Sequence, residues 1–210
     1  ELESYQKIIN GCRQVVENYN PTIEIDPSWE KVKLNTLGET KSGGTPKRTE
    51  TGYWDGEISW YSSGELNDLF TVEPLEKITQ SGLNNSNCKV FPKGSLLIGM
   101  YDTAAFKMSI LSEDAAFNQA ICAIKPNEKV RVKFLYLYLA MNREMYLFDR
   151  VGVRQRNLSK GYIDEIVVSL PNIDMQDSII QKYDIEFSKI QSVQELIDIY
   201  KQKIQDKISK

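Results

Sequence analysis

The sequence predicts an α+β protein whose irregular, β-rich middle is flanked by long helices. Three observations carry this. Apolar residues recur at three- and four-residue steps at the start of the chain, and again from about Met175 to the end. Between those stretches, short apolar runs alternate with loops rich in Gly, Pro, Asn and Ser. The final seam keeps its spacing too long for an ordinary surface helix, which suggests a coiled coil.

In order, residues 1–20 read as an amphipathic helix. Leu2, Tyr5, Ile8, Ile9, Cys12, Val15, Val16 and Tyr19 form its stripe, and Asn20-Pro21 ends it. Thr22 to Ser28 carries two prolines and reads as an extended connector. A mainly stranded module begins at Trp29. Val32-Lys33-Leu34 is a short strand, and Ile58-Ser59-Trp60-Tyr61 another, entered through an Asp55-Gly56 turn. A Pro92-Lys93-Gly94 turn feeds the apolar strand Ser95–Ile98. Ala104–Leu111 and Phe117–Ile124 are further strands, and Asn84–Asn87 a polar loop. Val132–Phe148 reads as one buried helix stopped at Gly152, and Ile166–Leu170 as a strand ending at Pro171. Residues 175–210 are the last helix, with Ile179, Tyr183, Phe187, Ile190, Val193, Ile197, Tyr200, Ile204 and Ile208 on one seam. The first and last helices share this pattern and are expected to pair antiparallel. The expected domains are therefore 1–20, 29–174 and 175–210.

Composition narrows the function. The 210 residues are 41% hydrophobic and 26% charged, as in an ordinary globular chain, and contain no apolar run that would span a bilayer. Without histidine, the usual triads and every His-containing zinc site are excluded. Cys12, Cys88 and Cys122 form no CxxC pair. They read as free thiols in a reducing compartment, the cytoplasm. No phosphate-binding GxxxxGK[ST] loop occurs, nor an Asn-Pro-Pro-Tyr-type methyltransferase loop. Asp102, Glu113 and Asp114 fall in no nuclease-like metal pattern. No cofactor and no metal is expected. The formal net charge is −3, yet residues 129–160 hold eight cations against two anions, a basic zone in an acidic chain. The first residue is Glu1 and the pattern starts mid-helix, as expected of a piece of a longer polypeptide.

The stretch from Leu37 to Leu66 organises the rest. It contains a flexible Ser42-Gly43-Gly44-Thr45-Pro46 loop, the cations Lys47 and Arg48, the Tyr53-Trp54 pair and a second small polar loop, Ser62-Ser63-Gly64. Gly43 and Gly44 are expected to let the backbone approach a partner closely. Hydroxyls, loop amides, cations and flat aromatics suit a phosphate backbone. The same features also fit a plain surface hairpin with a Trp anchored in the core.

The sequence resembles the DNA-specificity (S) subunits of type I restriction-modification enzymes. The resemblance runs through GGTPKRTETGYWDGEISWYSSGEL (43–66), ITQSGLNNSNCKVFPKGSLLIG (78–99), AFNQAICAIKP (116–126), GVRQRNLSKGYIDEIVVSLPNIDMQDSII (152–180) and the terminal helix. It implies a target-recognition domain with an irregular β core and a helical hairpin, followed by a spacer helix that acts as a ruler. It further implies a non-catalytic component that binds double-stranded DNA. Its partners would be adenine methyltransferase (M) subunits and a restriction/translocase (R) subunit, and no membrane. The chain would then be half of a full subunit, a half-size subunit that self-associates through its helices, or the tail of a methyltransferase fusion.

On that reading Lys41, Ser42, Thr45, Lys47 and Arg48 suit phosphate anchoring, with Ser62, Ser63, Arg150 and Lys160. Arg154, Gln155, Arg156 and Asn157 suit base edges: Arg pairs with guanine, and Gln or Asn with adenine. Tyr101, Asp102, Thr103 and Lys107 lie on a loop after a buried strand and would reach a groove. Asn118 and Gln119 are expected to satisfy groups inside the fold, and Trp54 and Trp60 to be core anchors. The alternative is a non-DNA interaction module, binding a glycan or peptide through Tyr53, Trp54, Trp60 and Tyr61 on a coiled-coil stalk.

Overall fold

The helical periodicity at the two ends of the chain and the apolar runs between them sort into two compact units in a computed structural model. It describes residues 2–148 and 158–209. One unit comprises Glu1–Ile23 with Asp177–Lys210, the other Glu24–Gln176.

The smaller unit is helical. The amphipathic first segment forms α1 (Leu2–Glu17), and the long final seam forms α6 (Ile173–Ile208), whose first turn belongs to the larger unit. The Tyr5 ring packs 5.3 Å from Tyr200. At the other end, Tyr19 senses Glu186, although burial contributes more to the raised pKa of its hydroxyl. Moving up α1 thus moves down α6, so the helices run antiparallel, as expected. Ile9 and Ile197 are buried, while Val15, Ile185 and Ile199 remain about half exposed. On the seam itself Phe187 and Ile208 are exposed, so this one pairing covers it only in part.

The larger unit is built on three small sheets. β1 (Glu30–Lys33) and β9 (Val167–Leu170) pair antiparallel, joining the start of the unit to its end. The central sheet has the order β2-β8-β5-β6, with β2 (Gly38–Ser42), β8 (Ile121–Pro126), β5 (Leu96–Gly99) and β6 (Met108–Ile110). The apolar run that predicted β5 is fully buried, as a central strand requires. The third sheet has the order β4-β3-β7, with β4 (Glu76–Ile78), β3 (Trp54–Tyr61) and β7 (Ala116–Phe117). The core joins Tyr61, Leu66, Phe91, Leu97, Leu111, Phe117 and Ile121, with Trp60, Ile78 and Cys88 in an adjoining cluster.

Several expected elements change shape. The Asp55-Gly56 turn is instead a bulge inside β3: Trp54 and Ile58 both register opposite Ile78, and Asp55 takes φ 58°. The expected helix 132–148 is two helices, α3 (Val132–Met141) and α4 (Arg143–Phe148). Asn142 breaks it by donating its side-chain amide to Tyr138 O at 2.8 Å. Ala104–Leu111 is a strand only from Met108, because a 3-10 turn at Asp102–Ala104 and Phe106 at φ 58° precede it. The expected strand 117–124 is cut at Asn118 and Gln119 into β7 and β8. Two short helices, α2 (Gln80–Asn84) and α5 (Lys160–Asp164), carry no strong sequence signal. They are capped by the hydroxyls of Thr79 and Ser159. Buried Gln176 pins the first turn of α6. Its Oε1 accepts from Arg131 N at 2.8 Å, and its Nε2 donates to the carbonyls of Lys129 and Pro171.

Candidate nucleic-acid interface

β2 delivers the chain into the Gly43-Gly44 loop, where the fold decides what the glycines are for. A Cβ on Gly43 would meet Phe117 O at 2.1 Å, and one on Gly44 would meet Asn87 C at 2.5 Å and Cys88 N at 2.6 Å. Both glycines are buried and bonded, Gly43 N to Ile121 O and Gly44 N to Phe117 O. The close approach they permit is to the protein's own backbone, which corrects the expectation that it served a partner. Gly44 O in turn accepts from Trp60 Nε1 at 3.0 Å and from Cys88 Sγ at 3.0 Å.

The loop's exit presents Arg48. Its guanidinium lies 3.8 Å over the Trp54 ring and forks onto Glu76 of β4, with Nη2 at 2.9 Å from Oε2. That hydrogen bond raises the Arg48 pKa and holds the Glu76 carboxyl below its usual range. Two of the five guanidinium donors are committed to Glu76. Trp54 in turn meets Trp60 edge-on at 5.3 Å. Trp60 and Tyr61 are each 2% exposed and offer no aromatic face to a glycan; Trp60 anchors the core as expected, while Trp54, expected beside it, is only half-buried.

The other singled-out residues also have internal partners. Lys41 lies 3.8 Å from Glu39, and Lys47 3.0 Å from Glu50. The Thr45 hydroxyl donates to Gln119 Oε1, and Asn118 Oδ1 accepts from Ala120 N. Ser42 ends β2 opposite Cys122. Ser62 caps the 3-10 turn that Ser63 begins, bonded reciprocally to Glu65. Lys107 Nζ donates to Asn67. Lys160 is paired at 2.5 Å to Asp164 within α5, and Asp164 in turn accepts the Thr40 hydroxyl of β2, so the carboxylate ties α5 to the central sheet and occupies the cation. Tyr101 leads into the exposed 3-10 turn that carries Thr103.

Arg150, Arg154, Gln155, Arg156 and Asn157 lie outside the described residues. Their flanks both attach to the Met100–Phe106 loop. Arg143 Nε donates to Phe106 O, the Tyr146 ring stacks 4.8 Å from Phe106, and Leu158 N donates to Met100 O at 2.7 Å. Arg143, Tyr146 and Leu158, the described residues on either side, thus all contact the loop that carries the Tyr101–Thr103 turn.

Among the described residues no group of His, Cys, Asp and Glu could hold a metal, and no helix is long and apolar enough to cross a membrane. Glu113 accepts from the Ser59 hydroxyl, and Asp114 from Lys93 N. The sequence reading missed Glu76 and Asp164, which fix the orientation of its candidates, whereas Gln119, expected to satisfy groups inside the fold, does so by accepting from Thr45. Nothing in the local sequence marks Glu76 or Asp164, because only the tertiary register relates them to the site.

Comparison with known proteins places this geometry. The model of the type I restriction modification DNA specificity domain matches residues 27–208. The specificity subunit of the type I restriction enzyme MjaIX from Methanocaldococcus jannaschii is 26% identical over 162 residues, 74% of this chain and 37% of that protein. The EcoR124I/EcoR124II specificity subunit from Escherichia coli is 23% identical over 190 residues, 88% of this chain and 46% of its own length. The chain thus spans less than half of these relatives. The crystal structure of the HsdS subunit from Thermoanaerobacter tengcongensis superposes with a TM-score of 0.66 at 15% identity, covering 98% of this chain and 52% of that one.

Proposed function

The chain belongs to the type I restriction modification DNA specificity family, and on that premise we propose that it is a sequence reader for duplex DNA. In this reading it directs an adenine methyltransferase and restriction assembly to its site and performs no chemistry itself. One observation carries the reading: the family match runs unbroken through the β-rich unit and on along α6.

Residues 29–174 form the reader, and 1–20 and 175–210 are spacer helices that engage methyltransferase (M) subunits and, through them, the restriction (R) subunit. Half-exposed Val15, Ile185 and Ile199 suit a further helix, from a second copy or a second recognition domain. The protein acts in the cytoplasm, in keeping with its free thiols. Arg48, oriented by Glu76 and Trp54, and Lys41, Ser42, Thr45, Lys47, Ser62, Ser63 and Lys160 contact or order the backbone-gripping loops. Tyr101, Thr103 and Lys107 are candidates to reach a groove, and Arg150, Arg154, Gln155, Arg156 and Asn157 are the residues assigned to phosphate and base contacts.

The test is a binding selection from a pool of randomised duplexes, using the chain together with the methyltransferase subunit of its system. Enrichment of one defined sequence is expected, and Arg154→Ala should relax one position of it at a cost of about 1–3 kcal/mol. A pool that emerges unenriched would defeat the proposal.

A further inference from the structure

β2 is an edge strand of the central sheet, and its alternation turns Glu39 and Lys41 outward. The antiparallel register sets Lys125 of β8 opposite Glu39 and Ala123 opposite Lys41. Lys41 and Lys125 are therefore diagonal neighbours on one face. The segment from Lys89 to Pro92 borders the same face, and together these residues line a cavity of about 220 Å³.

Two properties set this groove apart. First, its cations are available. Among the described residues neither Lys89 nor Lys125 has an ion pair or a side-chain hydrogen bond, and Lys41 has only its 3.8 Å approach to Glu39. Lys47, Arg48, Lys107 and Lys160 are each already engaged. Three ammonium groups against one carboxylate leave a local excess of positive charge. Second, the groove adjoins the glycine loop. Lys89 follows Cys88, whose thiol donates to Gly44 O and whose backbone N lies 2.6 Å from where a Gly44 Cβ would be. Val90, 42% exposed, and Pro92 give the groove an apolar wall.

We propose that this groove seats a stretch of the sugar-phosphate backbone, with Lys41, Lys89 and Lys125 on the phosphodiester oxygens and Val90 and Pro92 against deoxyribose. The assignment rests on the duplex-DNA reading above and adds Lys89 and Lys125 to it. Flexible ammonium groups act as point charges without base preference, so the groove supplies affinity and leaves sequence choice to other residues.

The experiment measures the binding of the full chain, with its methyltransferase partner, to a selected duplex and to a scrambled one across a salt series. The variants are Lys89→Gln, Lys125→Gln, the double variant, Lys89→Arg, and Lys33→Gln as a control, since Lys33 pairs with Glu165. Each Gln variant is expected to lose affinity several-fold for both duplexes. The log–log salt slope should fall by about 0.9 per lysine removed. The ratio between the two duplexes should stay unchanged, Lys89→Arg should retain binding, and Lys33→Gln should match the parent. A double variant with parental affinity and slope overturns the groove while leaving the DNA reading intact. A parent that binds no duplex overturns that reading, and the groove assignment with it.

Discussion

Gly44→Ala tests whether the glycine loop is built for the fold or for a ligand. The new Cβ would sit 2.5 Å from Asn87 C and 2.6 Å from Cys88 N, about 1 Å inside ordinary carbon contact. Both obstacles are backbone, so no side chain can swing aside. Relief requires the 43–46 loop and the 87–88 segment to separate. That lengthens the bonds from Trp60 Nε1 and Cys88 Sγ to Gly44 O, both now 3.0 Å. Losing most of the indole bond costs about 1 kcal/mol, the weak thiol bond less, and overpacking adds about 1–3 kcal/mol. The expected destabilisation is about 2–4 kcal/mol, read as a lowered urea midpoint at constant m-value. Gly52→Ala is the control: nothing lies within 4 Å of its Cβ, and it should stay within about 0.5–1 kcal/mol of the parent. If Gly44→Ala unfolded within about 0.5 kcal/mol of the parent yet lost DNA binding, the glycine would be serving a ligand and the packing argument would be wrong.

Four other outcomes follow from other contacts in the fold. A double-mutant cycle over Arg48→Ala and Glu76→Ala should return a coupling of no more than about 1 kcal/mol, because both side chains are substantially exposed. Glu76 has a depressed folded-state pKa, so its contribution is complete above the unfolded value of about 4.3 and lost as pH falls through the folded one. The gap in stability between the parent and Glu76→Gln should therefore be constant from pH 7 to about 5 and close in more acid solution. Gln176→Leu removes three hydrogen bonds at a buried site and should cost about 2–4 kcal/mol by urea titration; a near-neutral effect would mean water replaces the amide. Burial pushes the Cys122 thiol up to about 12 and raises that of Cys88. A thiol-specific reagent at pH 8 should label Cys12 in the native protein and the other two only on unfolding, as mass spectrometry of the digested adduct would reveal.

What the sequence made readable was local. The seam of α6 survives because one residue pattern is repeated along a whole helix, and β5 because an uninterrupted apolar run has nowhere to go but a buried strand. Site residues were identifiable by type but not by engagement. Arg48 finds Glu76 at a separation of 28 residues, and Thr45 finds Gln119 at 74. Such partners depend on strand register, which no window of local sequence contains. The Asp55-Gly56 dipeptide carries a real turn signal, yet both Trp54 and Ile58 register opposite Ile78, and the chain bulges between them. Asn142 likewise has no special helix-breaking rank; what stops α3 is its bond to Tyr138 O.

The pairing of β1 with β9 has an evolutionary consequence. Glu30 and Leu170 are direct partners across that ladder, so the two ends of the β-rich unit lie about 5 Å apart. Whatever replaces the intervening 139 residues need only present ends with the same spacing to fit the same clasp. Between those two strands the chain can vary in length and sequence while the ladder of β1 and β9 still closes the unit.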